Sequence, residues 1–403
     1  MAEGKGFGPL KGVTVADMTQ YQQGSVCTRM LAEMGAEVIK IESRLRGDPG
    51  RGLGAITQHG LPTYFEETCR NKKSITLDFQ KDKGKEILYK LVEKADVFAE
   101  NFRVGVAERR GFGYDDLRRI NPSIVYVKMT AWGLKGPSAE LPGYDGIGQA
   151  IGGIASTVGE EGQTMVTLRA AIADQTGAFL GAYGVLLALF HRERTGKGQM
   201  VDGSLIGGQI ALLGWTMEQY LLAGVGLARR KNRVYGGKNF SITAHFDTRD
   251  GKSLLVQLPS EDRRRAFFRA LGREELTDDP QFDTGDKINE DSHTYFGPIE
   301  ELFLTKDLAE WLKVLREHDV VCAPINDLAG AACYPDVIAN DYVTEVDHPK
   351  AGQIKVVGLP IKLSETPGRV GVAPELGQHT EEILKRFGYT SAKIAELREE
   401  EVI

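Results

Sequence analysis

Short apolar runs alternate with amphipathic segments through the first 130 residues of the chain. The apolar runs predict strands over 12–18, 37–42, 73–79, 96–100 and 124–129. The segments between them have apolar residues at helical spacing, and they predict helices over 25–35, 82–95, 104–110 and 114–120. Because strand–helix–strand units of about thirty residues build parallel sheets, we predict an α/β fold with a doubly wound, Rossmann-like parallel sheet.

A long apolar segment from Arg169 to Lys197 predicts one helix, and a second helix is predicted over 202–224. Between positions 170 and 190 the only charged residue is Asp174, in the first turn. Spacings of three and four place this carboxylate on one helix face with Gly177, Gly181 and Gly184. Since each glycine inside a helix costs about 1 kcal/mol relative to alanine, the row indicates that another helix or a ligand packs closely against this face.

The helical pattern leaves two interpretations of Asp174 open. An acidic residue in a first turn stabilises the helix by offsetting the positive end of its dipole, by a fraction of 1 kcal/mol. The same carboxylate, directed into a site, could serve as a nucleophile or a base. The segment alone does not decide between them.

The composition of the chain changes near position 228. A basic, glycine-bearing stretch over 228–238 indicates a linker. Beyond it, mixed elements are predicted: strands over 253–258 and 320–325, and helices over 261–271, 299–303 and 308–318. The last part of the chain predicts strands within 353–363 and helices over 380–387 and 391–399. We therefore predict a large α/β domain formed by 1–227 together with 326–403, and a smaller α+β domain over 228–325.

Composition narrows the functional classes. A net charge of −6 over 403 residues argues against a general nucleic-acid-binding protein. The four cysteines form no CxxC pair and the seven histidines show no metal-ligand spacing, so we expect neither a disulfide framework nor a metal site. The N-terminal residues lack the apolar stretch of a signal peptide, and the long apolar helix is interrupted by small residues. We expect a cytoplasmic protein with no membrane partner.

The turn after the first predicted strand, residues 19–24, lies where open α/β sheets bind ligands. It reads Thr-Gln-Tyr-Gln-Gln-Gly and contains no GxGxxG motif. The fingerprint for dinucleotide phosphates is therefore absent from the position it would occupy, which disfavours a nicotinamide-dependent dehydrogenase.

Five short motifs give the chain a resemblance to a known family. They are GAEVIKIE over 35–42, RNKKSITLD over 70–78, ADVFAENF over 95–102, RTGKGQMVD over 194–202 and LGQHTEEIL over 376–384. Together they span nearly the whole chain, which resembles the class III CoA-transferases, a family that includes formyl-CoA transferase and the carnitine CoA-transferase. The resemblance implies a homodimer whose two chains are interlocked as linked rings, with each active site near the interface.

The resemblance also implies that Asp174 is the catalytic carboxylate. In that chemistry the carboxylate attacks the thioester carbonyl of an acyl-CoA and forms an acyl–enzyme anhydride. CoA is then held as an enzyme-bound thioester until a second carboxylic acid collects it. Acyl-CoA and a carboxylic acid are the expected partners, with coenzyme A as substrate and no metal or further cofactor.

Other site residues follow from the resemblance one position at a time. It assigns Gln22 and Gln23 to the thioester arm of CoA. It assigns the binding of the adenine end of CoA to the end of the strand predicted over 73–79, with residues Leu77, Asp78, Phe79 and Gln80. It assigns Asn101, Phe102 and Arg109 to a further CoA-binding segment, and Tyr144, Gly236 and Gly237 to the substrate side. Structural alternatives stay open here: a solvated charge for Arg109, a core tyrosine for Tyr144 and a plain turn for the glycine pair.

The chain departs from the family at two places. Formyl-CoA transferase has an arginine directly after the glutamate that matches Glu42, whereas this chain has Ser43 and then Arg44. The glycine loop at 236–237 is shorter than the glycine-rich lid of some members. A contact from the first position to the CoA phosphates and a lid at the second are therefore not carried over.

Two other functions compete with a CoA-transferase, and the assembly of a transferase also stays open. An α-methylacyl-CoA racemase on the same fold uses a His-Asp pair where this chain has Tyr144-Asp145, so the transferase is favoured. A noncatalytic acyl-CoA-binding subunit is disfavoured because Asp174 is present. A catalytic subunit of a heteromeric transferase stays open, as do the identities of the two acids.

Overall fold

The computed structural model describes residues 6–226, 229, 233–236, 242–279 and 292–403. Its internal packing divides the chain into two units. The first consists of Met1–Ser156, Thr167–Gly226 and Ile338–Ile403, and the second of Thr157–Val166 and Leu227–Val337. This division differs from the predicted domains in two places. The segment 157–166 belongs to the second unit, which also extends to Val337 rather than ending at Ile325.

The first unit is built around a six-stranded parallel sheet. The strands are β1 (Thr14–Asp17), β2 (Glu37–Ser43), β3 (Lys73–Leu77), β4 (Val97–Glu100), β5 (Val125–Thr130) and β6 (Met200–Ser204). They pair in the order β3-β2-β1-β4-β5-β6, and every pair is parallel. The predicted α/β fold with a doubly wound sheet is confirmed. The winding reverses between β1 and β4, so the carboxyl ends of these strands form the topological switch point.

Helices cover both faces of this sheet. In the first unit they are α1 (Gln23–Glu33), α2 (Thr63–Cys69), α3 (Asp82–Lys94), α4 (Val106–Arg110), α5 (Tyr114–Ile120), α6 (Asp145–Gly152), α7 (Ile172–Thr195) and α8 (Leu205–Ala223). Because strand side chains alternate between faces, valines such as Val15 and Val97 pack with α1 and α7. The next residue of each strand, Ala16 or Phe98, packs on the other face with α3 and the C-terminal helices.

The glycine row of α7 packs against its own chain. A Cβ at Gly177 would lie 2.4 Å from Nε2 of Gln23, in α1. At Gly181 it would lie 2.8 Å from Cε of Met129, in β5, and at Gly184 it would lie 2.6 Å from Cγ1 of Val201, in β6. The close approach predicted from the row is confirmed, and the neighbours are elements of the same unit.

The same helix is long and apolar enough, by length and composition, to cross a membrane. One of its faces nevertheless packs into the core with Val185, Ala188 and Leu189 fully or nearly fully buried. We therefore interpret α7 as the core helix of the first unit.

Two sequence predictions at the ends of the long helices were wrong. Residues 202–204 were predicted to begin the second helix, but they lie in β6, and α8 begins at Leu205. The sequence of β6, Met-Val-Asp-Gly-Ser, contains only two apolar residues and leads directly into a helix, so it lacks the apolar run that predicted the other strands. The first helix does not begin at Arg169, because Ala171 has φ 47° in the left-handed region and α7 begins at Ile172.

The second unit contains an antiparallel sheet, β10-β9-β8-β7. Its strands are β7 (Val234–Gly236), β8 (Ile242–Asp247), β9 (Ser253–Leu258) and β10 (Val321–Pro324). Its helices are α9 (Glu261–Ala270), α10 (Ser292–Phe303), α11 (Leu308–Glu317) and α12 (Leu328–Ala332), and α13 (Pro335–Ala339) spans the boundary between the units. Aromatic side chains fill its core, with the rings of Phe246 and Phe303 stacked at 4.1 Å.

The C-terminal part of the chain returns to the first unit. It forms a hairpin, β11 (Val343–His348) and β12 (Gly352–Val357), and then α14 (Thr380–Arg386) and α15 (Ser391–Glu399). Ile383 and Leu397 of these two helices are buried in the core on the α3 side of the sheet. The C-terminal helices therefore cover β2 and β3 on the face of the sheet that α3 also covers.

Candidate active site

A cavity of about 610 Å³ opens at the switch point of the parallel sheet. Its wall includes residues that directly follow three strands: the loop 20–23 after β1, Asn101 and Phe102 after β4, and Ala131 after β5. Asp174 and Tyr144 line the same cavity. Ligands bind at this position in open α/β sheets, so the cavity is the candidate active site.

The carboxylate of Asp174 lies where two helices begin. It is in the first turn of α7, and it accepts a hydrogen bond from the backbone N–H of Gln23, the first residue of α1. The N-terminus of a helix has unsatisfied N–H groups and a partial positive charge. The start of α1 therefore presents a donor to negative charge on the Asp174 carboxyl group.

A second carboxylate, Asp145, caps the start of α7 from α6. Its Oδ1 accepts hydrogen bonds from the backbone N–H groups of Ala173 at 2.8 Å and Asp174 at 3.2 Å. Its Oδ2 accepts from Nε2 of Gln149 at 2.5 Å, and the fully buried Gln149 also bonds both backbone groups of Leu168. Asp145 therefore positions the turn that carries Asp174.

The surroundings of Asp174 weaken its acidity. Burial and the neighbouring negative charge of Asp145 raise the pKa of Asp174 to about 7, although the Gln23 N–H acts in the opposite direction. Near neutral pH the carboxyl group is then present in both protonation states, and its ionised form is a stronger base and nucleophile than an ordinary aspartate.

Tyr64, in α2, is a site residue that sequence reasoning missed. It lines the cavity, and burial followed by the charge of Asp174 raises the pKa of its hydroxyl group well above the usual range. The hydroxyl group therefore stays protonated near neutral pH, and it can donate a hydrogen bond within the cavity that Asp174 also lines. None of the family motifs includes α2, and the helix itself was not predicted, so no signal in the sequence pointed to this tyrosine.

Buried charges hold the start of the loop that carries Gln22 and Gln23. Asp17, at the end of β1, accepts hydrogen bonds from the backbone N–H of Thr19 at 2.9 Å and from Nζ of Lys72 at 2.9 Å. The side chains of both charged residues are completely buried. Such a pair costs free energy of desolvation but permits only one arrangement of the groups it contacts.

A second buried pair holds the rest of the loop. Nζ of Lys40 donates to the carbonyl of Thr19 at 2.8 Å and pairs with Asp48 at 2.7 Å. Oδ1 of Asp48 accepts from the backbone N–H of Tyr21, whose φ is 59°. The left-handed conformation of a tyrosine is disfavoured, and this bond helps to maintain it.

Asn101 completes the anchorage of the loop. Its Oδ1 accepts from the N–H of Gln20 at 2.7 Å, and its Nδ2 donates to the carbonyl of Gln20 at 2.6 Å. The side chain therefore joins the loops after β1 and β4 across the switch point. Both ends of the Asn101 amide are therefore bonded to the backbone of Gln20, and the side chain positions the loop.

The structure brings some predicted CoA-binding residues together and leaves others apart. Those that line the cavity are Gln22, Gln23, Asn101 and Phe102. Those that lie outside its wall are Leu77, Asp78, Phe79, Gln80 and Arg109. An aromatic group links the two sets, because the ring of Phe112 lies 5.9 Å from that of Phe102 and 6.1 Å from that of Phe79.

The side chains beyond the cavity differ in burial. Leu77 is fully buried at the end of β3, whereas Gln80 and Arg109 are exposed. The guanidinium group of Arg110 lies 5.4 Å from the centroid of the Phe79 ring. Arg44, next to the position where the chain departs from formyl-CoA transferase, pairs with Glu401 at 3.3 Å.

On the substrate side, Tyr144 is 62% exposed and its ring contacts that of Tyr21 edge-on at 5.7 Å. It is therefore not a core tyrosine. Gly236 ends strand β7 in the second unit, and Gly237 lies outside the described residues.

Replacing Asp174 by asparagine should stabilise the protein at alkaline pH. The pKa of about 7 in the folded state exceeds the ordinary value of 3.8, so wild type loses stability as pH rises from about 4 through 7. The asparagine variant lacks this loss, and its advantage at about pH 8 is at most about 4 kcal/mol. Thermal unfolding at about pH 5 and about pH 8 measures it.

The matched control for this experiment is Asp347→Asn, which changes an exposed carboxylate in β11. It should shift the unfolding midpoint equally at both pH values. A gain for Asp174→Asn that is no larger at about pH 8 than at about pH 5 would contradict the assigned environment.

Comparison with known proteins places this geometry in a family. The family described as CoA-transferase family III matches residues 10–380. The succinyl-CoA–L-malate CoA-transferase beta subunit of Chloroflexus aurantiacus is 32% identical, over 98% of this chain and 98% of that protein. The formyl-CoA:oxalate CoA-transferase of a Bradyrhizobium species is 33% identical, over 97% and 96%.

A solved structure agrees with these sequence relatives. The crystal structure of a CaiB/BaiF family protein from Brucella suis superposes with a TM-score of 0.83 at 28% identity, covering 94% of this chain and all of that one. Since the sequence match spans most of the chain, the protein belongs to CoA-transferase family III and is a CoA-transferase.

Proposed function

We propose that the protein transfers CoA from an acyl-CoA thioester to a carboxylic acid with Asp174 as the nucleophile. One observation carries the proposal: a half-buried carboxylate with a pKa of about 7 lies at the converging N-termini of α1 and α7, in the cavity at the switch point. Strongly perturbed carboxyl groups in a cleft are candidates for catalysis.

The proposed reaction begins when an Asp174 oxygen attacks the thioester carbonyl carbon. The carbon–sulfur bond breaks, CoA leaves as a thiolate and a mixed anhydride remains. The thiolate then attacks Cγ of Asp174, which releases the donor acid as its carboxylate and leaves a CoA thioester on the enzyme. The acceptor carboxylate attacks this Cγ, the carbon–sulfur bond breaks and a second anhydride forms. The released thiolate then attacks the acceptor's carbonyl carbon and expels the Asp174 carboxylate, which gives the acceptor's CoA thioester.

The surroundings of Asp174 suit this sequence. Burial limits the access of water, which would hydrolyse an anhydride, and strengthens every hydrogen bond to the reacting groups. The N–H of Gln23 is directed at the carboxylate and can stabilise negative charge on its oxygens. The Tyr64 hydroxyl is a second candidate donor in the same cavity.

For CoA itself, we propose a path from the cavity towards the aromatic group of Phe79, Phe102 and Phe112. Arg103 lines the cavity, and Arg109 and Arg110 are exposed in α4. Phosphate groups favour arginine because its guanidinium forms paired, charge-assisted hydrogen bonds. The adenine side would then lie near the end of β3, as the family resemblance implies. CoA is a substrate here, and the proposed steps need no metal or further cofactor.

The acids are proposed from the relatives. Their names contain succinyl-CoA, malate, formyl-CoA and oxalate. We therefore propose small carboxylic acids and their CoA thioesters as the substrate class.

Asp174→Ala should reduce CoA exchange by at least about a thousandfold, because the covalent route is lost. CoA binding, measured by calorimetry, should change by less than about threefold, because the contacts proposed for CoA are unaltered. Hydroxylamine added to wild type during turnover should convert Asp174 to a hydroxamate, and peptide mass spectrometry would detect it. Near-normal turnover of the alanine variant would exclude Asp174 as the nucleophile.

The racemase alternative predicts a different result for the same enzyme. With a 2-methylacyl-CoA in deuterated water, a racemase exchanges the α-hydrogen whether or not an acceptor acid is present. A transferase gives no exchange at this carbon. Rapid deuterium incorporation without CoA transfer would favour the racemase.

Asp145→Asn should move the acidic limb of the kcat/KM profile to lower pH. The negative charge of Asp145 helps to raise the pKa of Asp174, and the ionised form is the nucleophile, so a neutral amide makes that form available at lower pH. Asparagine keeps an oxygen that can accept from Ala173 and Asp174, whereas Asp145→Ala removes the cap as well.

The two Asp145 variants separate charge from structure. We expect the limb to shift by about half a pH unit or more in Asp145→Asn, which keeps the bonds to Ala173 and Asp174 but loses the one that Oδ2 accepts from Gln149. Asp145→Ala should also unfold at lower temperature, by about 1 kcal/mol of lost capping. An unshifted limb in both variants would show that Asp145 does not influence the ionisation of Asp174.

We also propose that two copies of the chain associate. Apolar side chains on α7 and α8 of the first unit are exposed, among them Leu187, Phe190, Trp215 and Leu222. Trp215 is 73% and Leu222 is 83% exposed. Contiguous apolar patches on a soluble protein mark interaction surfaces, and a homodimer is the state that the family resemblance implies.

Light scattering should give twice the mass of the chain for wild type. Trp215→Asp combined with Leu222→Asp should shift the protein to a monomer, because charges would be buried at the interface. Leu45→Asp, which changes another exposed leucine of the first unit, serves as the control. A wild-type monomer would contradict the homodimer, and a requirement for a second, different chain would indicate a heteromer.

A further inference from the structure

The side chain of Gln23 has an unexplained polar group beside the nucleophile. The residue is only 5% exposed, and its Nε2 has no hydrogen-bond partner among the described residues. An unsatisfied buried donor costs about 1–3 kcal/mol. A methionine or leucine would fill the same space without this cost, so the amide is expensive unless a ligand uses it.

The location of Gln23 connects its amide to the chemistry. The residue lines the cavity with Asp174, and its backbone N–H bonds the Asp174 carboxylate. Its side chain lies over Gly177, one turn beyond Asp174 on α7, where a Cβ would come within 2.4 Å of Nε2. The glycine thus makes room for a carboxamide next to the nucleophile.

The chemistry of a carboxamide limits what can satisfy it. It has one accepting and one donating end, and rotation by half a turn exchanges them. The unpaired atom is Nε2, a donor, and the oxygen of a hydroxyl group supplies an acceptor without burying a second negative charge beside Asp174. An acyl group attached to Asp174 places the substituents of its first carbon nearest to the residues around that carboxylate.

We infer that Gln23 is a specificity-determining residue that recognises a hydroxyl group on the carbon next to the reacting carboxyl, so that the enzyme favours 2-hydroxy acids. The inference rests on the proposed function, because it needs an acyl group on Asp174. A site built to hydrogen-bond a hydroxyl group discriminates against the analogue that lacks it, whose binding leaves the amide unpaired.

Gln209 provides a matched control. It is also a fully buried glutamine with one unpaired amide atom, Oε1, and its Nε2 donates to the carbonyl of Ile172 at 3.4 Å. It does not line the cavity. Gln209→Met therefore repeats the chemical change of Gln23→Met at a site that the substrate does not reach.

The test measures kcat/KM for CoA transfer from succinyl-CoA to 2-hydroxybutyrate and to butyrate. Wild type and Gln209→Met should favour the hydroxy acid by about tenfold or more, as one well-made hydrogen bond allows. In Gln23→Met this preference, the ratio of the two kcat/KM values, should fall by at least about fivefold, whatever the change in the activity with either acid alone. Thermal unfolding should show that Gln23→Met is at least as stable as wild type, because the removed amide was buried and unpaired.

A second pair of variants tests the same contact from α7. Gly177→Ala should reduce the preference, because the new Cβ displaces the carboxamide. In the Gln23→Ala background there is no carboxamide to displace, so Gly177→Ala should have no further effect on the preference. Equal effects of Gly177→Ala in both backgrounds would count against the contact.

The outcomes separate the inference from the proposed function. Exchange between succinyl-CoA and labelled succinate reports CoA transfer without any 2-hydroxy acid. If this exchange proceeds and wild type shows no preference for 2-hydroxybutyrate, or Gln23→Met retains the preference, the inference is overturned. If the exchange does not depend on Asp174, the proposed function fails and the inference fails with it.

Discussion

The structure depends on how the first turn of α7 is held. No side chain adjacent to that turn caps it, and Asp145 supplies the cap from a position 28 residues earlier in the chain. The same carboxylate puts a negative charge close to Asp174, so one group fixes the position of the proposed nucleophile and raises its pKa. Positioning and acidity are therefore coupled, and a neutral cap would give a similar helix with a more acidic aspartate.

The opposite wall of the site is fixed by buried ion pairs. The Asp17–Lys72 and Lys40–Asp48 pairs bind the loop before α1 through its backbone, and Asn101 ties that loop to β4. Apolar residues of similar volume would often stabilise a fold better than such pairs. Here the pairs hold Tyr21 in a left-handed conformation and place the start of α1 against Asp174. The two pairs therefore contribute less to the free energy of unfolding than apolar residues would, but they allow only one arrangement of the loop where the anhydride would form.

The sequence predicted the strands and helices around this site better than the side-chain contacts within it. Short apolar runs located five of the six parallel strands, and the family resemblance assigned site roles to Asp174, Gln22 and Gln23, which line the cavity. Strand β6 was missed because only Met200 and Val201 of its five residues are apolar and because it runs directly into α8. Tyr64 and the capping role of Asp145 were missed for a different reason. Both act through contacts between residues far apart in sequence, and no local period records such contacts. The glycine row did record one, since the space at Gly177 is taken by Gln23.

The raised pKa of Asp174 also affects which of the two carbonyl carbons of the proposed anhydride the thiolate attacks. Thiolate attack on Cγ of Asp174 expels the substrate acid, whose pKa is ordinarily about 4. Attack on the substrate carbonyl expels Asp174, whose pKa is about 7 and which is therefore the poorer leaving group. Leaving-group ability alone thus favours CoA bound to the enzyme, in both halves of the reaction. The raised pKa already includes the effect of the Gln23 N–H, so return of CoA to an acid needs a further donor to the departing Asp174 carboxylate, and the Tyr64 hydroxyl in the same cavity is the candidate.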